Sequence, residues 1–191
     1  MDELDRAGVP ASFFLQGRWV EAEPALARRV RGAGHLIGSH SHYHARMGLF
    51  SPAGFRTDVA AAAAVIRRVL RVDPRPWFRL PFGASAADQR RIALLAELGY
   101  RHVGWHVEPK EWQTRASVQG VAAAIVNGAR SHGDGAIVLL HTWPRTVPKA
   151  LSIAIPALTA AGARFVQLDQ LDLPVGLEPI AYPRPEPSVH V

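Results

Sequence analysis

Four of the nine histidines in this 191-residue chain stand within ten positions: His35, His40, His42 and His44, in Gly34-His-Leu-Ile-Gly-Ser-His-Ser-His-Tyr-His44. Neutral imidazole is a common ligand of zinc, cobalt and nickel, and two or three converging histidines make most of a site. Spacing allows two groupings. On an extended strand His40, His42 and His44 share one face; on a turn or helix start His40 and His44 do. With so many histidines an i, i+4 pair also arises by chance, so a structural or surface role is the plain alternative. Three more segments set reactive side chains beside apolar runs: Arg79-Leu-Pro-Phe-Gly83, Trp105-His-Val-Glu108-Pro-Lys-Glu111-Trp112 and Ile137-Val-Leu-Leu-His141. His141, flanked by apolar residues, has a satisfied core histidine as its plain reading.

Short apolar runs that alternate with longer amphipathic ones predict a β/α protein with a parallel sheet, its reactive residues at the C-terminal ends of strands. Strands are expected at Ala11–Leu15, Leu36–Ser39, Phe78–Pro81, His102–Val107, Ala136–His141 and Arg164–Leu168. Helices are expected near Pro24–Ala33, Ser51–Leu70, Ser85–Leu98, Ser117–Ser131 and Val147–Ala161. Ser51 and Ser117 read as N-caps, and Gly34, Gly99 and Gly162 as terminators. Periodicity does not choose between a barrel and an open doubly wound sheet. Met1–Ala7, ending at Gly8, reads as the back half of a helix with no strand before it. The prolines from Pro174 to Pro187 exclude a helix, so 173–191 reads as an irregular tail after a domain spanning 1–172.

Composition narrows the function classes. Hydrophobic residues make up 48% and charged residues 20%, ordinary for a globular domain. The formal charge is +6, and all basic residues but Lys110 and Lys149 are arginines, scattered along the chain. That even scatter argues against a nucleic-acid face. Without cysteine there are no disulfides and no thiolate metal sites. No apolar run approaches the ~18 residues of a membrane span. Met1-Asp2-Glu3-Leu4-Asp5 is acidic where a signal peptide is basic and then apolar. Oligomeric state is left open.

Taken in order, these segments resemble the motifs of the polysaccharide deacetylases, the carbohydrate esterases with NodB homology. Val9–Gly17 is similar to the family's second strand. Gly34-His35 and His40-Ser41-His42-Tyr43-His44 resemble its His-Ser/Thr-x-x-His motif, Arg79–Gly83 its Arg-x-Pro-Tyr/Phe-Gly motif, and Leu139-Leu140-His141 its Leu-x-His motif. The resemblance covers roughly 1–172. It implies an α/β fold, a distorted (β/α) barrel, and hydrolytic deacetylation of an N-acetylated polysaccharide, peptidoglycan- or chitin-like. Xylan O-deacetylation is a nearby option. His40 and His44 would bind a divalent metal, zinc first and cobalt or nickel otherwise, together with an aspartate. His141 would be the general acid, Arg79 would orient the catalytic base, and Leu139 and Trp112 would wall the acetyl pocket. The Phe82 N–H would complete an oxyanion site. Members of the family are usually secreted or at the cell surface.

Two departures from the family pattern matter. Its fourth motif, Asp-x-x-Asp-Trp, reads Glu108-Pro-Lys-Glu111-Trp112 here, so Glu111 would tether His141 with a reach longer by about 1.5 Å. Its first motif, Thr-Phe-Asp-Asp-Gly-Pro, supplies the base and the third ligand, and no Asp-Asp pair occurs in this sequence. The barrel is therefore expected to be incomplete, lacking its first strand, with Met1 an internal methionine of a longer protein. Activity is expected to be impaired. The rival expectation is a non-catalytic remnant that binds a glycan or a partner.

Overall fold

The computed structural model describes residues 1–171, so the segment 173–191 lies outside the described residues. Strands β1 (Ser12–Leu15), β2 (Leu36–Ser39), β3 (Trp77–Phe78) and β4 (Arg101–His102) form a parallel sheet in the order β1-β2-β3-β4. Ser12 stands opposite Leu36, Leu15 opposite Ser39, Ser39 opposite Phe78, and Phe78 opposite His102. Sequential order settles the ambiguity left by periodicity. Right-handed crossovers that always step the same way put every helix on one face, which is barrel winding; a doubly wound sheet must reverse.

The later strands are shorter than the sequence suggests, and side chains explain why. The expected strand Phe78–Pro81 breaks off because Pro81 has no N–H to offer and opens a 3-10 turn, Pro81–Gly83. Beyond His102 the partner strand has therefore turned away. The Arg79 guanidinium takes its place: Nε donates to the Val103 carbonyl and Nη2 to the Gly104 carbonyl, each at 3.1 Å. The expected strand Ala136–His141 is reduced to one parallel bridge, Val107 with Val138. Arg164–Leu168 is not a strand. Its end enters a 3-10 turn, Leu168–Gln170, with the Leu168 N–H on Ser12 Oγ at 3.1 Å, beside the entry to β1.

Seven helices are described: α1 (Asp2–Ala7), α2 (Gly17–Ala22), α3 (Pro24–Gly32), α4 (Pro52–Leu70), α5 (Gln89–Glu97), α6 (Val118–His132) and α7 (Thr146–Ala160). Ser51 and Ser117 cap α4 and α6, accepting from Gly54 and Gly120 N–H at 3.1 and 3.0 Å. α5 begins later than expected because Ser85 sits at φ 69 and Asp88 caps the helix. α4 is the main wedge. Its Phe55, Val59, Ala62, Ala63, Ile66 and Leu70 are buried, Phe55 with Phe78 and Leu80, Ile66 with Val20 and Ile37. Each large side chain so buried contributes about 1.5–3 kcal/mol. α6 and α7 pack through Val121, Ala122 and Ile125 against Ala150, Ala154 and Leu158. Among the described residues no helix is long and apolar enough to cross a membrane.

Candidate functional site

The histidine cluster leaves the C-terminal end of β2 as a loop clamped from three sides. His40 N–H continues the ladder to the Leu15 carbonyl at 2.9 Å. The first amides of α2, on Gly17 and Arg18, donate to the carbonyls of Ser41 and His42 at 2.9 and 3.2 Å. Gly17 is required by the closeness of this contact: a Cβ there would lie 2.4 Å from His42 Nδ1. From α4 the buried Asp58, 4% exposed, accepts the backbone N–H of His42 at 2.9 Å and of Tyr43 at 3.2 Å. The His44 N–H donates to Ser41 Oγ at 2.9 Å.

Within this clamp Ser41 and His44 take positive φ, 64° and 54°. The chain therefore turns rather than running extended, and the second of the two groupings is the one formed. His40 and His44 rings meet edge to face at 4.8 Å, while His42 packs on Tyr43 at 4.5 Å, with Nε2 4.0 Å from Glu21. His40 Nδ1 lies 2.7 Å from the Arg79 carbonyl. A carbonyl can only accept, so Nδ1 carries the proton and Nε2 keeps its lone pair, the tautomer of a metal-ligating histidine with its outer partner in place. Burial pushes His40 down to about 3, against the carbonyl bond, and burial likewise lowers His44. Both stay neutral near pH 7, the ligand form.

The other half of the site is set by the Val107–Val138 bridge, after which one chain runs on to Glu111 and the other to His141. Glu111 is 2% exposed. Its Oε1 accepts both from His141 Nδ1 at 2.8 Å and from the His141 backbone N–H at 2.6 Å. Burial alone would raise the Glu111 carboxyl, but the side-chain and backbone hydrogen bonds from His141 outweigh it and hold the group below its usual value. With Nδ1 engaged, Nε2 is the ring nitrogen left for an incoming group.

Between the halves lies Pro81–Gly83. Phe82 adopts φ 59 and ψ 11 there, its ring 4.6 Å from that of His44, and its N–H donates to no described residue. Of the six non-glycine residues at positive φ among the described residues, four (Ser41, His44, Phe82 and Lys110) lie in these loops. Each costs on the order of 1 kcal/mol or more, so strain is concentrated where the reactive groups are. Leu139 is buried, whereas Trp112 and Phe82 are exposed. Arg79 lies below the loops, its guanidinium 4.2 Å over the Phe14 ring as well as on the Val103 and Gly104 carbonyls.

Among the described residues no group of three His, Asp, Glu or Cys side chains is placed to hold a metal. His40, in the ligating tautomer, and His44 present two neutral imidazoles, and the set stops there. Two residues that sequence reasoning passed over take part. Asp58 left a signal: a carboxylate on the apolar stripe of α4, between Phe55 and Ala62. Trp143, 67% exposed and 6.1 Å from the His141 ring, left none.

A third histidine yields a pH prediction. His102 Nδ1 accepts the Leu80 N–H at 3.3 Å, and burial, then the Arg79 charge, push it down to about 4. As pH falls the unfolded chain takes this proton first. The resulting stability is complete above about pH 6.5 and lost on the way to pH 4, on the order of 3 kcal/mol. Urea midpoints across that range should fall more steeply for the wild type than for His102→Gln, which can keep the Leu80 contact. Parallel curves would remove His102 from the account.

The polysaccharide deacetylase family model matches residues 1–103. A chitooligosaccharide deacetylase from Bradyrhizobium is 31% identical over 185 residues, covering 90% of this chain and 82% of its own. A family 4 acetyl xylan esterase from Clostridium thermocellum, solved with a cobalt ion, is 32% identical with a TM-score of 0.76, covering 88% of this chain and 79% of that one. A mutant of a carbohydrate esterase family 4 pseudoenzyme from Bacillus anthracis, described as having restored activity, is 25% identical with a TM-score of 0.81, covering 89% and 60%. This chain spans 61–63% of the length of two other curated relatives. With the family model matching more than half of the chain and a relative 31% identical that is covered over 82% of its own length, the chain belongs to the polysaccharide deacetylase family.

Proposed function

We propose that this protein acts in the metal-dependent hydrolytic deacetylation of an N-acetylated polysaccharide, peptidoglycan- or chitin-like. In this reading the chain supplies the general-acid side and two of the metal's ligands. The observation that carries it is the double hydrogen bond from His141 to the buried Glu111 carboxylate. Such a pair holds one ring orientation, with Nδ1 on the carboxylate and Nε2 left to face an incoming group. As the acyl C–N bond breaks, His141 Nε2–H passes its proton to the departing amine nitrogen, and acetate is the other product. The Phe82 N–H, having no described acceptor, is available to the carbonyl oxygen as charge grows there. Leu139 and Trp112 wall the acetyl pocket, and the exposed Trp143, 6.1 Å from the His141 ring, offers an apolar face to a sugar ring. Arg79 is assigned to orient a carboxylate base.

A divalent metal, zinc first and cobalt or nickel otherwise, would supply Lewis-acid activation, held in part by His40 and His44 Nε2. Two ligands fall short of the three of a catalytic zinc site. Calorimetry with zinc should therefore give weak binding that His40→Ala and His44→Ala each abolish. Unchanged affinity in both variants sinks the metal assignment.

The missing Asp-Asp pair and the likeness to a pseudoenzyme favour a second reading, a glycan-binding domain without activity. Acetate release from N-acetylchitooligosaccharides decides between the two. It is measured for this chain and for the chain preceded by a strand bearing Thr-Phe-Asp-Asp-Gly-Pro. A rise of ~10²–10⁴-fold is expected, the worth of a general base. No release from either form, with oligosaccharide binding retained, establishes the second reading.

A further inference from the structure

Four of the arginines spread along the sequence come together in space. Residues from the C-terminal halves of α3 and α4, with the Arg71 cap, share one open cleft of about 470 Å³, lined by Arg28, Arg31, Arg68, Val69, Leu70 and Arg71. The neighbouring arginines outside the cleft are paired. Arg29 meets Asp2 and Asp5, while Arg67 and Arg75 both meet Asp73, at 3.4 and 2.6 Å. Inside it, Arg68 reaches the exposed Glu21 at 3.1 Å, and the guanidiniums of Arg28, Arg31 and Arg71 make no ion pair or hydrogen bond among the described residues.

The C-terminal ends of helices attract cations, which is the plain explanation for arginines there, and each such end is worth about half a negative charge. Two such half-charges and Glu21 offset about two of the four guanidiniums, leaving about two positive charges unmatched in one cleft. Arg71 adds a second observation. It closes α4 in the left-handed conformation, φ 56, a position that glycine or asparagine takes without strain. The sequence keeps a guanidinium there instead.

We propose that this cleft binds a ligand with adjacent phosphate groups, either free pyrophosphate or a segment of a linear phosphodiester polymer. Guanidinium forks match phosphate oxygens two at a time, and the cluster contains no lysine. A single carboxylate would leave the charge unmatched. A nucleic-acid duplex needs a long basic stripe, and here the flanking arginines are neutralised by Asp2, Asp5 and Asp73. The inference does not depend on the deacetylase reading.

The test is calorimetry at low salt with inorganic pyrophosphate, poly(glycerol phosphate) and a DNA duplex as titrants. Arg28→Ala and Arg71→Gly should each weaken pyrophosphate binding by about tenfold or more, the worth of a charge-assisted contact. Arg71→Gly suits the local backbone, so the helix end persists. Arg90→Ala, an exposed arginine beside Asp88, should change nothing. Tighter binding of the polymer at equal phosphate, lost in the same variants, identifies the polymer as the source; tighter pyrophosphate binding identifies the free ligand. The proposal is overturned if both variants bind pyrophosphate like the wild type, or if the duplex binds more tightly through the same arginines.

Discussion

Replacing His141 by alanine should lower the rate of acetate release by ~10²-fold or more, measured on N-acetylchitooligosaccharide with the Asp-Asp strand supplied. That corresponds to about 2.7 kcal/mol of transition-state stabilisation. Glu111→Gln should cost less, about tenfold. The amide oxygen can still accept from His141, but a charge-assisted bond is roughly twice as strong as a neutral one. It also sets a buried NH2 where Glu111 Oε2 has no hydrogen-bond partner. Glu111→Asp keeps the charge but draws it back by about 1.5 Å from contacts already at 2.6 and 2.8 Å. Its rate should fall between those of the wild type and Glu111→Gln. A His141→Ala rate within threefold of the wild type would remove His141 as proton donor. Equal rates for Glu111→Gln and the wild type would reduce the pair to a structural contact.

The second large effect is on stability and comes from a residue that touches no substrate in this reading. Asp58→Ala removes a buried carboxylate that accepts two loop amides, and leaves the His42 N–H buried without an acceptor. Two charge-assisted bonds lost and one amide stranded cost about 3 kcal/mol. In a domain of this size that is a fall in Tm of about 6–12 °C. The same change frees the turn that sets His44 beside His40, so zinc affinity should drop although neither histidine is altered. Asp58→Asn, with one accepting oxygen, should lie between. Thermal melts and zinc titrations of the same samples check both halves. A loss below 0.5 kcal/mol, or an unaltered zinc affinity, would show that the loop holds itself in place without α4.

Much of the frame was readable along the chain because it depends on near neighbours. α3, α4, α6 and α7 come from apolar residues at helical spacing with serine caps at Ser51 and Ser117. β1 and β2 follow from apolar runs between turn residues. The family resemblance drew on His40, His44, Arg79, Glu111, Trp112 and His141 through their order and local context alone. The short helix α2 went unread, since six residues carry too little pattern to stand out from the strand before them.

What tertiary structure alone decided depends on partners far away in sequence. The lengths of β3 and β4 are set by where a neighbour turns off and by the Arg79 side chain capping carbonyls 24 and 25 residues later. Whether His42 shares a face with His40 and His44 rests on positive φ at Ser41 and His44, held by Asp58 from α4. The arginine cleft was invisible for the same reason: even spacing along a chain says nothing of spacing in space once two helices end side by side. Residue types determined what chemistry this chain can offer. Long-range hydrogen bonds and packing, which fix the backbone where local propensity is indifferent, decided which of those residues meet.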